Sequence, residues 1–266
     1  MRILHGSDLH LEFYQNTRIM ERTPLPHPGT YDAVVLAGDI STWTNGIQWA
    51  RHRFPEDKPV FITFGNHEYY GYKYQDLRYM FEGYDYGNVH LLLGGNHYDL
   101  QIGDETARFI GATLWTEGFL EGYSTSSYMI EQSIADFKLI QYGGAKLTIE
   151  TMRQICQDEK IAIANALETS HADANIVFTH FMPTVEACKR GSYSGDSLNP
   201  YFATECDEIL QRYGEEYIDL WIFGHTHDRM EFDHPTFGTH FISNPMGYPG
   251  EIKEEFNWKI TELLGK

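Results

Sequence analysis

Basic residues are scarce in this 266-residue chain: 20 lysines and arginines stand against 38 aspartates and glutamates, a formal net charge of -18. Proteins that grip duplex DNA along its backbone usually show the opposite balance, so a dedicated duplex-binding role is disfavoured. A small phosphate ester remains compatible, because bound cations reverse the sign of charge locally. Cysteine is nearly absent. Cys156, Cys188 and Cys206 are widely spaced with no CxxC pair, which gives no zinc-ribbon pattern and suits a reducing compartment. No run approaches the roughly 18 apolar residues that a membrane span requires. The opening MRILHGSDLH lacks an apolar segment of signal-peptide length. The expected location is therefore the cytoplasm, with no membrane partner. Internal repeats, low-complexity tracts and interdomain linkers are also missing. What is present is ample core material, 42% apolar and 15% aromatic residues.

Short apolar runs end repeatedly in a glycine or a polar residue. Arg2–His5 leads into Gly6-Ser7-Asp8, Ala33–Ala37 into Gly38-Asp39, and Val60–Phe64 into Gly65-Asn66-His67. Ile176–Thr179 leads into His180, and Leu220–Phe223 into Gly224-His225. Runs of this length and character read as strands buried on both faces. Helices are expected near Asn45–Arg53, Tyr72–Phe81 and Pro200–Tyr213, and the alternation predicts an α/β fold. Hairpins are expected at Val89–Leu93 with Tyr98–Ile102, around Gly94-Gly95-Asn96, and at Met230–His234 with Thr239–Ser243. Residues of about 124–171 read as two long helices separated near Gly143-Gly144, an insertion without candidate ligands. One domain spanning 1–266 is the expected organisation.

Asp8-x-His10 and His225-x-His227 place metal-ligand side chains two residues apart, a spacing that brings both to one face of extended chain. Neither triplet is informative alone. Together with Asp39, Asn66, His67 and His180, however, they lie at the C-terminal ends of candidate strands, where open α/β sheets bind ligands. Five chain segments deliver them, using only five of the thirteen histidines. Carboxylate, imidazole and amide oxygen without thiolate suit Mn, Fe or Zn cations. Seven donors (Asp8, His10, Asp39, Asn66, His180, His225 and His227) suffice for two divalent ions, with Asp39 as the natural bridge. Two such ions, about 3.5–4 Å apart, can share a hydroxide nucleophile. His67 points differently from Asn66 beside it and is placed to act as proton donor.

The ordered set Asp8/His10, Gly38-Asp39, Gly65-Asn66-His67-Glu68, His180 and Gly224-His225-Thr226-His227 resembles the calcineurin-like metallophosphoesterase superfamily. The resemblance covers residues 8 to 227. It implies a four-layer sandwich of two mixed sheets flanked by helices, with hydrolysis of a phosphodiester or phosphomonoester. By resemblance, one metal takes Asp8, His10, Asp39 and His227, and the other takes Asp39, Asn66, His180 and His225. The Ser/Thr protein phosphatase branch continues its second motif with an Asp and an Arg, whereas this chain reads Ile40-Ser41-Thr42-Trp43. The stretches Leu220–His227 and Asn244–Tyr248 look more like small bacterial and phage-type members. Glu68 is expected to hold His67 in place.

Substrate contacts are expected from residues 181–203, among them Lys189, Arg190, Ser192, Tyr193, Ser194 and Gly195, because this segment begins beside His180. Tyr69 and Tyr70 are candidates to stack on a base or sugar, and Trp115-Thr116 to face the site. The expected substrate is a small phosphorylated molecule, nucleotides included. A nuclease of the same superfamily and a catalytically silent scaffold are the alternatives.

Overall fold

The computed structural model describes residues 1–14, 23–80, 86–251 and 255–263. Side-chain alternation decides which core each strand serves. In β2 (Ala33–Ala37), Ala33, Val35 and Ala37 enter one apolar cluster, while Val34 and Leu36 enter another. In β9 (Ala174–Thr179), Ile176 and Phe178 join the first of these clusters and Val177 joins a third. The unbroken apolar runs of the sequence therefore reflect burial on both faces.

The shared cluster lies between two mixed sheets. One has the order β13-β1-β2-β3-β4, adding β1 (Arg2–Gly6), β3 (Val60–Thr63), β4 (Val89–Leu91) and β13 (Lys259–Glu262). The other has the order β11-β12-β10-β9-β6-β5, with β5 (Asn96–Ile102), β6 (Glu105–Ala112), β10 (Leu220–Phe223), β11 (Met230–Asp233) and β12 (His240–Ser243). In each sheet the inner strands run parallel, and the antiparallel ones sit at the edges. Helices Asn45–Arg53 and Tyr74–Met80 cover the outer face of the first sheet through Ile47, Ala50 and Leu77. Helix Asp207–Tyr217 covers the second through Ile209, Leu210 and Tyr213. The four layers implied by the motif set are present.

Three local expectations fail. Gly94-Gly95 is not a hairpin turn: β4 pairs in parallel with β3, and β5 pairs antiparallel with β6 in the other sheet. Gly95 is needed for close approach, because a Cβ there would overlap Ala162 of helix Ile149–Glu168. The second expected hairpin forms as read, from β11 and β12. The 124–171 stretch is not two long helices. It contains short helices Ser127–Ser133 and Asp136–Leu139, then a hairpin of β7 (Gln141–Tyr142) and β8 (Ala145–Lys146), before the long helix. Helix Pro200–Tyr213 is likewise replaced by Asn199–Phe202 and Asp207–Tyr217, and the end of the expected 72–81 helix, Phe81, lies outside the described residues.

Between the sheets, Phe61 of β3 stacks on Phe109 of β6, with ring centroids 4.0 Å apart and both side chains fully buried. Phe61→Ala should lower unfolding free energy by about 3–5 kcal/mol, through lost burial and a cavity between two stiff layers. Urea unfolding would check this, and a loss below about 1 kcal/mol would show that the sheets close the gap.

Candidate metal centre

The ends of β1, β2, β3, β9 and β10 bring the seven candidate ligands and His67 to one edge of the sandwich. Backbone conformation marks the place. Asp8, His10, Asp39, His225 and His227 all have positive φ, between 45° and 77°. Left-handed backbone is costly for non-glycine residues, and such strain concentrates at functional sites. It also changes how the triplets work: Asp8 and His10 each sit in left-handed backbone beyond the end of β1, not on the extended chain that alternation assumes. The glycine before Asn66 has a steric reason, since a Cβ on Gly65 would overlap the Asp39 carboxylate.

The donor atoms crowd together. His10 Nε2 lies 3.0 Å from His227 Nε2, and His227 Nε2 lies 3.5 Å from Asp8 Oδ1. His180 Nε2 is 3.1 Å from Asn66 Oδ1, 3.1 Å from His225 Nδ1 and 3.4 Å from Asp39 Oδ2. Donors bonded to one cation at about 2.1 Å are separated by roughly 3.0–3.4 Å, so the spacing fits. Tautomers fit as well. His10 Nδ1 faces Glu12, His227 Nδ1 faces Glu251 at 2.5 Å, and His180 Nδ1 faces the Ala37 carbonyl at 3.0 Å. Each acceptor holds a proton on Nδ1 and leaves the Nε2 lone pair aimed at the other donors, the arrangement metal-ligating histidines favour. Asp8, His10 and His227 form one group that could hold a metal, and Asp8, Asp39 and His180 another.

The electrostatics point the same way. Burial opposes charge on His180, but the Asp39 and Asp8 carboxylates lift it to about 9. Burial likewise opposes charge on His227, yet Asp8 and Glu251 lift it to about 10. These carboxylates call for positive charge, which protons or cations can supply. His67 also rises: burial would lower it, but Asp39 and Glu12 outweigh burial. Its Nδ1 lies 3.0 Å from Glu12, and its Nε2 lies 3.0 Å from the Tyr248 hydroxyl and 3.9 Å from Asp39 Oδ2.

Four contributors escaped the sequence reading. Glu12, two residues beyond His10, orients both His10 and His67. Glu251 and Tyr248 arrive from a C-terminal loop. Asp136, from the insertion taken to lack ligand contacts, accepts hydrogen bonds from Asn66 Nδ2 at 3.0 Å, Tyr70 at 2.8 Å and Tyr201 at 2.6 Å. The Asn66 amide is thereby turned so that its oxygen faces His180. Glu12 is close in sequence to the first triplet but lies in the short helix Leu11–Tyr14, where two-residue spacing carries no signal.

The expected substrate contacts divide. Tyr70 and Tyr193 line a cavity of about 350 Å³ beside the donors. Tyr69 does not: its ring is buried against Tyr74, Phe64 and Trp115. Trp115 is itself fully buried, so it fills core instead of facing the site. Arg190 pairs with Glu186 and lies over the Phe232 ring, and Ser192 bonds Asp228; neither lines the cavity. Glu68 accepts backbone N–H groups of Gly65, Ile40 and Asp39, at 2.7, 2.8 and 3.1 Å. It therefore steadies the loop carrying Asp39, and not His67 as expected.

Residues 1–229 match the model of the calcineurin-like phosphoesterases, and the chain belongs to that family. The structure is similar to phosphopantetheinyl hydrolase (PptH) from Mycobacterium tuberculosis, with a TM-score of 0.74 and 18% identity over 97% of this chain and 95% of that one. That likeness is one of fold. A putative 5'-nucleotidase from Staphylococcus aureus aligns with a TM-score of 0.47 and 17% identity over 93% of this chain and 48% of that one, a score too low to argue from. No curated protein matches the chain.

Two expectations follow. Because His180 and His227 hold protons at pH 7, cation binding there should release about two protons, and affinity should fall as pH drops. Calorimetry in buffers of different ionisation enthalpy would show it; binding without proton release would mean that these lone pairs are not used. Asp136→Ala should weaken metal affinity about 10–100-fold by freeing the Asn66 amide. Unchanged affinity in a metal titration would remove Asp136 from this role.

Proposed function

We propose that the chain is a binuclear metal-dependent phosphoesterase that hydrolyses a phosphomonoester or phosphodiester of a small molecule, nucleotides included, in the cytoplasm. The observation that carries the reading is the convergence of seven donors, five of them on left-handed backbone, with three of the four donor histidines held at Nδ1 by a carboxylate or a carbonyl. By the family resemblance, Asp8, His10, Asp39 and His227 would hold one ion and Asp39, Asn66, His180 and His225 the other, with Asp39 shared. Two divalent cations, of Mn, Fe or Zn type, would supply Lewis-acid charge at the phosphoryl oxygens and an activated water there.

The chain's own residues do the rest. His67 lines the cavity with its Nε2 toward the donors, while Glu12 holds Nδ1. Burial opposes charge on His67, but Asp39 and Glu12 raise its pKa, and it is placed to give an Nε2 proton to the leaving oxygen, with the same two carboxylates stabilising the imidazolium. The Tyr248 hydroxyl lies 3.0 Å from that nitrogen as its hydrogen-bond partner. Serving as a nuclease is the weaker reading, because the net charge of -18 repels a polyanion.

Hydrolysis of p-nitrophenyl phosphate or its bis ester is expected with at least one of Mn²⁺, Fe²⁺, Co²⁺, Ni²⁺ or Zn²⁺. Silence with all of them would refute the enzyme reading. His67→Ala should keep its metal content and lose about 10²–10⁴-fold in kcat, most severely on esters with poor leaving groups. Should elemental analysis find that variant stripped of metal, His67 is a ligand and not the acid.

A further inference from the structure

The wall of the cavity narrows the substrate, granted the phosphoesterase reading above. Among the described residues, no lysine or arginine lines it. Lys189 and Arg190, the cations of the neighbouring segment, both pair with Glu186, at 2.5 and 2.6 Å. Arg190 is further held 4.4 Å from the Phe232 ring centroid. Besides the metal donors and His67, the acidic residues on the wall are Asp136, which accepts hydrogen bonds from Asn66, Tyr70 and Tyr201, and two further carboxylates. Glu251 is engaged by His227, and Asp196 sits exposed at the rim, accepting the Leu198 N–H at 2.8 Å.

The remaining wall combines aromatic rings with Ile134, Ala135, Leu198 and Thr226. Phe202 lies 5.2 Å from the His225 ring, and Tyr193 continues the row 6.4 Å farther on, its plane within 8° of that of Phe202. Aromatic side chains therefore run from a metal donor to the exposed Tyr193. Tyr70 and Tyr201 cannot readily donate to a substrate, since both hydroxyls already bond Asp136.

A phosphoryl group seated at the donors has cations to neutralise it. A second phosphate farther along would meet Asp196 and no countercharge, in a protein of charge -18. A flat, uncharged group there would find aromatic faces to stack on. We propose that the substrate carries one phosphoryl group joined to a flat, uncharged organic group that stacks along Phe202 and Tyr193, and that Asp196 disfavours esters bearing a second phosphate. A nucleoside monophosphate has this chemistry; a nucleoside bisphosphate does not.

Three monoesters with the same 5'-alkoxide leaving group test it on the metal-loaded protein: ribose 5-phosphate, adenosine 5'-monophosphate and adenosine 3',5'-bisphosphate. Adenosine monophosphate should show a KM about tenfold below that of ribose 5-phosphate. It should also show a kcat/KM at 5' about tenfold above that of the bisphosphate. Tyr193→Ala should raise KM for the monophosphate more than for ribose 5-phosphate, and Tyr193→Phe should keep the preference. Asp196→Asn retains the turn's acceptor and should bring the bisphosphate to within about threefold of the monophosphate. Equal treatment of all three esters, or a failure to cleave the monophosphate, would overturn the proposal while hydrolysis of p-nitrophenyl phosphate left the phosphoesterase reading intact. Inactivity on every ester would end both.

Discussion

The Asp39 carboxylate is the group around which the rest is arranged. It is 2% exposed, and a buried carboxylate is tolerated only when its charge is met. Its Oδ2 has nitrogens of His180, His10 and His67 at 3.4, 3.8 and 3.9 Å, while Oδ1 accepts the His67 backbone N–H at 2.9 Å. Those partners come from the ends of three other strands. Meeting at Asp39 fixes how far β1, β3 and β9 reach past the sheet edge, and requires a side-chain-free residue at Gly65. Glu68 then anchors the Asp39 loop by its backbone, so the position of one oxygen is set by covalent turn, hydrogen bond and steric exclusion together.

Strain follows from that requirement. Side chains leaving a strand end in extended conformation would spread apart, and the left-handed turns at Asp8, His10, Asp39, His225 and His227 bend them back toward one point. Each such residue costs of order 1–3 kcal/mol. The frame that bears this cost is the stack of stiff layers behind it, in which the strands feeding the site are buried on both faces. Catalytic geometry and core packing are thus coupled: a loosened sheet would let the turns relax and the donors separate.

This coupling explains what was legible in the sequence. Strand cores announce themselves by apolar runs, and a ligand at a strand end is located by the run that precedes it. That is why Asp8, His10, Asp39, Asn66, His180, His225 and His227 could be placed together at one sheet edge without coordinates. The route by which Asp8 and His10 converge was misread, because alternation belongs to extended chain and the chain has already left it. Partners that come from afar carried no local sign. Asp136 sits in a segment whose glycines suggested a helix break, and Gly143-Gly144 in fact turn a two-stranded hairpin. Glycine was ambiguous again at Gly95, where helix contact and a tight turn call for the same residue.

The cavity joins two environments with opposite electrostatic needs. On one side, paired carboxylates and aimed lone pairs create a demand for positive charge that only a proton or a cation can meet. On the other, rings and an exposed carboxylate provide nothing for an anion. A ligand spanning both must concentrate its negative charge at one end. Whole-chain acidity, which at first only spoke against duplex binding, acquires a local meaning here: with Lys189 and Arg190 turned to Glu186, the described wall adds no cation of its own. Selectivity in this site would then come less from groups that hold the leaving portion than from the absence of any partner for a second charge.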